Sequence, residues 1–220
     1  MEKSVKCCYL VCAGEMKTPL NIEKKPFDKI IAVDGGLKKL RQAGIVPDLI
    51  AGDFDSLGFK PETGKLLCLP VEKDVTDSYA AAMAAADEGF ERIIIFGGTG
   101  GRTEHTFANV QLLAALAKRG VKGFLADDGR TLFVSDGGTT KIAARKSGYV
   151  SVFSLDTKCE GVTLKGLKYP LSGYTLTNEF PIGVSNEFIG QTAEIIVEKG
   201  VYLVVAECSP CLLYTSPSPR

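Results

Sequence analysis

Short apolar runs alternate with amphipathic stretches along the first two-thirds of the chain. Residues 6–12, 29–33, 49–52, 66–69, 92–96 and 123–126 read as strands. Several are near-continuous apolar runs, as expected of parallel strands buried on both faces. Between them, Tyr79, Ala82, Met83, Ala86 and Phe90 fall at i, i+3, i+4, i+7 and i+11, one face of a helix. Thr76 is placed to cap its start and Gly89 its end. Val110, Leu113, Ala114 and Ala117 form a second stripe, ended by Lys118-Arg119-Gly120. A shorter helix is predicted over 37–43, stopping at Gly44. Strands alternating with helices predict an α/β domain with a mostly parallel sheet and flanking helices.

The pattern changes after Asp136-Gly137-Gly138. From Thr139 to Glu207 no helical stripe is visible. Strands are predicted at 141–144, 149–155, 161–165, 174–177, 192–198 and 201–207, with Lys199-Gly200 as a hairpin turn between the last two. Short strands with frequent turns predict an all-β, antiparallel sandwich or barrel. The expected organisation is an α/β domain over 1–137, a β-sandwich domain over 138–207 and a tail over 208–220. The Pro-rich end of that tail carries no folding pattern, so it reads as a disordered terminus or as sequence foreign to the protein.

Composition narrows the function classes. Lys+Arg and Asp+Glu are both 26, which argues against nucleic-acid binding through overall basicity. With 45% hydrophobic and 24% charged residues, the chain is globular rather than disordered. No apolar run of the length needed to cross a membrane occurs, and the N-terminus lacks a signal-peptide pattern. A soluble, cytoplasmic protein with no nucleic-acid or membrane partner is expected. Cys7, Cys8, Cys12 and Cys68 sit in apolar strand-like runs, where a thiol acts as a small hydrophobe. Cys208 and Cys211 have CxxC spacing, but no second pair accompanies them and His105 is the single histidine, so a structural zinc site is not expected.

Acidic residues gather at the ends of predicted strands. Asp34-Gly35-Gly36 follows 29–33, Gly52-Asp53-Phe54-Asp55-Ser56 follows 49–51, and Asp74-Val75-Thr76-Asp77 opens the Tyr79 helix. In a parallel α/β sheet these points share the carboxyl edge of the strands, where ligands bind. Asp53 and Asp55, alternate in an extended segment, can face a common ion. Each aspartate taken singly fits a helix cap or a turn; three such sites on one edge favour a hard divalent cation such as Mg²⁺. A second feature is Gly97-Gly98-Thr99-Gly100-Gly101-Arg102-Thr103-Glu104-His105, between a strand and a helix. Its glycines let backbone N–H groups approach an anion, and Arg102 can clamp a phosphate. It is neither a Walker A loop nor a GxGxxG fingerprint. His105 fits a proton-transfer group or a hydrogen-bonding group at a helix start.

Together these segments resemble the thiamine pyrophosphokinase family, which transfers diphosphate from ATP to thiamine. The resemblance rests on Val33-Asp34-Gly35-Gly36, Gly52-Asp53-Phe54-Asp55-Ser56, Lys73-Asp74-Val75-Thr76-Asp77, the glycine-rich run 97–105, the stretch 161–171 and Ser185-Asn186-Glu187-Phe188. They occur in family order from about residue 6 to 207. The resemblance implies an N-terminal domain that binds ATP and Mg²⁺ and a C-terminal β-sandwich that helps bind thiamine. It also implies a homodimer with sites between subunits. Asp53, Asp55 and Asp77 would hold the metal, with Asp74 in support. Asp34, Gly35, Gly98, Thr99, Gly100, Arg102, Glu104 and His105 would meet the nucleotide. Ser185 and Asn186 would meet the aminopyrimidine, with Tyr169 packed near it. Glu104 stands where the family usually has Asp, which carries its carboxylate one methylene further from the backbone.

The reaction so implied is attack by the thiamine hydroxyethyl oxygen on the β-phosphorus of ATP, with release of AMP. Two rivals fit parts of the sequence. Asp53-Phe54-Asp55-Ser56-Leu57 is similar to the nucleophile motif of haloacid-dehalogenase phosphatases, in which Asp53 would form an aspartyl-phosphate. A non-catalytic nucleotide or thiamine sensor would share the fold.

Overall fold

The computed structural model describes residues 5–52, 66–68 and 75–216. The chain packs as two compact units, Met1–Asp128 and Gly129–Arg220.

In the N-terminal unit six strands pair edge to edge: β1 (Cys7–Val11), β2 (Lys29–Val33), β3 (Leu49–Gly52), β4 (Leu66–Cys68), β5 (Arg92–Phe96) and β6 (Lys122–Asp127). Their order across the sheet is β6-β5-β1-β2-β3-β4, and every neighbouring pair is parallel. Ile93, Ile94 and Ile95 of β5 are consecutive and all buried. A strand covered on both faces has no solvent side to mark with polar residues, hence the unbroken apolar run.

Helices α1 (Gly36–Gln42), α2 (Asp77–Asp87) and α3 (Thr103–Lys118) supply the cover. Leu37 and Leu40 of α1 join Val11, Ile30, Ala32 and Ile50 in one buried cluster. Ala81, Ala82 and Ala85 of α2 and Leu112, Leu113 and Leu116 of α3 are fully buried. Thr76 caps α2 by accepting from the Tyr79 N–H at 3.3 Å, and Gly89, just past its end, holds φ +84°. Helix α3 begins seven residues ahead of the Val110 stripe, because its first two turns are mainly polar and carry no apolar stripe.

In the C-terminal unit all pairing is antiparallel among β7 (Arg130–Ile142), β8 (Tyr149–Ser154), β9 (Lys158–Lys165), β10 (Leu171–Thr177), β11 (Asn186–Glu187), β12 (Ala193–Ala206) and β13 (Leu213–Ser216). Lys199-Gly200 is not a hairpin turn. The two strands expected on either side of it are one strand, β12, with a bulge: Val197 opposes Gly138 and Val201 opposes Asp136, so three residues of β12 face Gly137 alone. Gly137, Gly138 and Gly200 all take positive φ there. The bulge marks a change of partner. Before it β12 pairs with β9; beyond it β12 pairs with β8, while β7 runs alongside throughout. Bulges of this kind bend and twist a strand. Asp136-Gly137-Gly138, expected to separate the two domains, therefore lies inside β7, and the compact units divide after Asp128. In the expected tail, Leu213 is buried and β13 pairs with β7.

Candidate active site

The N-terminal unit reverses its winding at β1. From β1 the chain steps outward through β2, β3 and β4, then returns to place β5 and β6 on the other flank. The loops leaving the carboxyl ends of β1 and β5 therefore diverge, and a crevice opens between them. A cavity of about 380 Å³ occupies that crevice, in the size range of small-molecule sites. Its walls come from Cys12–Glu15 after β1, Val33 and Asp34 after β2, the head of α2, and the glycine-rich turn and start of α3 after β5.

The local backbone explains these residues. Asp34 holds φ +48°, a conformation Asp tolerates better than most residues, and its N–H donates to the Ala51 carbonyl at 2.9 Å. A side chain at Gly36 would collide with the Val11 carbonyl, so only glycine lets α1 start this close to β1. Gly97 (φ +62°) approaches the backbone of the first loop, and the Gly14 N–H donates to its carbonyl at 3.0 Å. The two loops are thus fastened backbone to backbone at the floor of the crevice.

Of the residues singled out in the sequence, Asp34, Asp77, Gly98, Gly100, Arg102 and His105 line this cavity together. Gly35, Thr99 and Glu104 stand back from its wall. Gly35 occupies the N-cap of α1. The Thr99 hydroxyl turns to Asp127 at 2.8 Å. Exposed Glu104 accepts from Arg102 Nε at 2.6 Å, and its own N–H together with that guanidinium holds its carboxyl below the usual range. Asp53, Asp55 and Asp74 lie outside the described residues.

Two polar residues of this site carry no motif in the sequence. Asp127, buried at the end of β6, accepts from the Gly97 N–H at 2.6 Å and the Thr99 N–H at 3.0 Å. Burial pushes its carboxyl above the ordinary range, against the pull of those donors. Asn109, buried on α3, donates to the Gly98 carbonyl at 2.7 Å and accepts from Ser78 Oγ at 2.8 Å. It ties the glycine-rich turn to the head of α2. The available signals were a strand ending in Asp127-Asp128-Gly129 and an Asn one turn after His105; both are weak.

The acidity of the crevice is registered by Cys12, whose thiol is pushed up to about 12, first by burial and then by the carboxylates of Asp127, Asp34 and Asp77. Of these, Asp34 and Asp77 line the cavity, and carboxylate oxygens are the donors a hard cation such as Mg²⁺ takes. Among the described residues no cluster of His, Cys, Asp and Glu is assembled into a complete metal site. Cys208 is buried and Cys211 exposed, and they form no such cluster.

In the C-terminal unit the structure brings Tyr169, Ser185 and Asn186 together. Ser185 holds φ +55°, and its N–H donates to Ser151 Oγ at 2.9 Å. The buried Asn186 amide accepts from the N–H groups of Tyr169 and Glu187, each at 2.9 Å, and donates to the Tyr169 carbonyl at 2.6 Å. Its side chain clasps the bend between β9 and β10 rather than pointing outward. The group presented to solvent is the Tyr169 ring, 55% exposed, with Lys168 Nζ 5.4 Å from its centroid.

Comparison with known proteins identifies the family. Residues 22–125 match the model of the thiamin pyrophosphokinase catalytic domain, and residues 139–202 that of the thiamin pyrophosphokinase vitamin B1 binding domain. Thiamine pyrophosphokinase of Bacillus subtilis is 31% identical over 182 residues, covering 80% of this chain and 85% of that protein. The crystal structure of thiamine pyrophosphokinase from the same organism superposes with a TM-score of 0.83 at 28% identity, over 92% of this chain and 99% of that one. The thiamin pyrophosphokinase structure from Geobacillus thermodenitrificans gives 0.80 at 27% identity, over 94% and 99%. Both domain models, in the same order, account for most of the sequence, and the chain belongs to the thiamine pyrophosphokinase family.

Proposed function

We propose that the protein transfers the diphosphate group of ATP to the hydroxyl of thiamine, giving thiamine diphosphate and AMP. The observation that carries this reading is the cavity at the reversal of strand order, where Asp34, Asp77, the glycine-rich turn, Arg102 and His105 converge. The turn after β5 receives the phosphates, with Arg102 and the start of α3 adding positive potential. Asp53, Asp55 and Asp77 would hold Mg²⁺, with Asp74 in support. Mg²⁺, when bound, neutralises charge on the phosphate oxygens.

The thiamine hydroxyethyl oxygen bonds to the β-phosphorus as the bridging bond to the α-phosphate breaks, and AMP leaves with the electron pair. One of the aspartates takes the hydroxyl proton. Alignment of the two oxygens about phosphorus is the main demand of such a transfer, which suits a rigid crevice built from strand ends. The C-terminal unit, read as a β-sandwich, contributes Tyr169 and the Ser185-Asn186 turn to the thiamine side.

The working form is read as a cytoplasmic homodimer. Exposed apolar side chains of the C-terminal unit, among them Phe180, Ile182, Val184 and Ile189, support a second copy as partner. Among the described residues no helix is long and apolar enough to cross a membrane.

Incubation with thiamine, ATP and Mg²⁺, followed by separation of products, tests the reading. Thiamine diphosphate appearing one-for-one with AMP is expected. ADP with free phosphate would overturn it in favour of a phosphatase or ATPase. Bound ligand without turnover would favour a sensor.

A further inference from the structure

Thr99 divides the glycine-rich turn. Gly97, Gly98, Gly100 and Gly101 face the cavity, whereas Thr99 points beneath it to Asp127. We propose that Asp127 is a positioning residue for the nucleotide: its carboxylate fixes which face of the turn is offered to the phosphates. The inference rests on the pyrophosphokinase reading of the site.

Charge attraction is not the reason for an acid here. A carboxylate close beneath a phosphate-binding turn repels the ligand, and burial adds a desolvation cost. Geometry is the remaining explanation. Oδ1 accepts from the Gly97 N–H, and Oδ2 accepts from both the N–H and the hydroxyl of Thr99, so all three donors meet an acceptor. Only an ionised carboxylate offers acceptors at both ends; an amide of the same shape turns a donor toward one of those N–H or O–H groups. Each lost bond leaves a buried or half-buried donor unsatisfied, and the turn relieves it by rotating. Because β6 carries Asp127 and β5 carries the turn, the tether crosses between adjacent strands and holds the turn to the sheet rather than to itself.

Asp127→Asn and Thr99→Val separate positioning from folding. Thr99→Val removes one of the bonds and keeps the backbone N–H. In steady-state assays of thiamine diphosphate formation, Asp127→Asn is expected to raise KM for ATP by about tenfold or more, with KM for thiamine within about twofold of the parent and kcat within about threefold. Thr99→Val is expected to raise KM for ATP by about threefold at an unchanged melting temperature. An unchanged KM for ATP in a folded Asp127→Asn protein overturns the proposal, as does a parallel rise in both KM values. Should Asp127→Asn fail to fold, Thr99→Val decides alone, and an unchanged KM for ATP again overturns it. A parent protein that forms no thiamine diphosphate refutes the functional reading instead. Calorimetric binding of ATP to parent and Thr99→Val then decides the positioning role on affinity: weaker binding supports it and equal binding overturns it.

Discussion

The crevice of the N-terminal unit and the Tyr169–Asn186 cluster of the C-terminal unit use buried polar side chains in opposite ways. In the crevice, Asp127 takes the Gly97 and Thr99 N–H groups and Asn109 the Gly98 carbonyl from behind, while Asp34 and Asp77 line the cavity. In the cluster, Asn186 spends its amide on the backbone of Tyr169 and Glu187, and the surface thereby offered is an aromatic ring. The same device, a side chain pinning distant backbone, thus supports a glycine-rich, acid-lined crevice in one unit and an exposed aromatic ring in the other. A phosphate chain needs directed donors; a heteroaromatic cation needs area and a π face.

That contrast is breakable by substitution. The largest effect is expected for Asp77→Asn, which removes a cavity carboxylate at the first turn of α2 and keeps its shape. Turnover should fall by about a thousandfold, with the melting temperature within a few degrees of the parent, as for other groups that act on charge developing at a reacting centre. Comparable turnover would show that the crevice aspartates are caps and nothing more. Asn186→Ala should do the reverse. Loss of the bonds to the bend carrying Tyr169 is expected to cost about 3 kcal/mol of stability, read from urea unfolding. A stable Asn186→Ala protein with impaired thiamine binding would move Asn186 from support to contact.

Smaller effects sharpen the platform itself. Tyr169→Ala should raise KM for thiamine by about tenfold without changing KM for ATP, while Tyr169→Phe should stay within about twofold, since ring area carries the effect. A Phe variant as poor as Ala would assign the role to the hydroxyl. The smallest change is expected for Glu104→Asp. The Arg102–Glu104 pair is exposed, at 73% and 64%, so the shorter acid should alter turnover by less than about threefold. A large rise in activity would show instead that the pair holds Arg102 away from the phosphates.

The sequence revealed the two units unequally. Strands β2, β3 and β5 were legible to the residue because burial on both faces writes an uninterrupted apolar run. Strands β7 and β12 were not. Gly137-Gly138 and Lys199-Gly200 carry the chemistry of turns, and only the pairing of one against the other shows that they form a shared bulge. Of β7, only Lys141 and Ile142 fell within a predicted strand, at 141–144. Among site residues, the glycine-rich turn, Asp34 and Asp77 declared themselves by position after a strand or before a helix. Asp127 and Asn109 did not, because their partners are backbone groups 30 and 11 residues away, which no local pattern encodes.

The reversal of strand order at β1 also has a consequence for how the protein is made. Strands β1 to β4 and helices α1 and α2 precede β5 in the chain, yet the crevice has only one wall until β5 pairs with β1 through the register Cys7↔Arg92 to Val11↔Phe96. Joining segments so distant in sequence requires closing a long loop, a slow step relative to local helix formation. A nascent chain therefore lacks the completed crevice until the turn at 97–101 has been made. Under the proposed function, ATP would stabilise only molecules in which β5 has paired with β1, and its presence would favour the finished sheet by mass action.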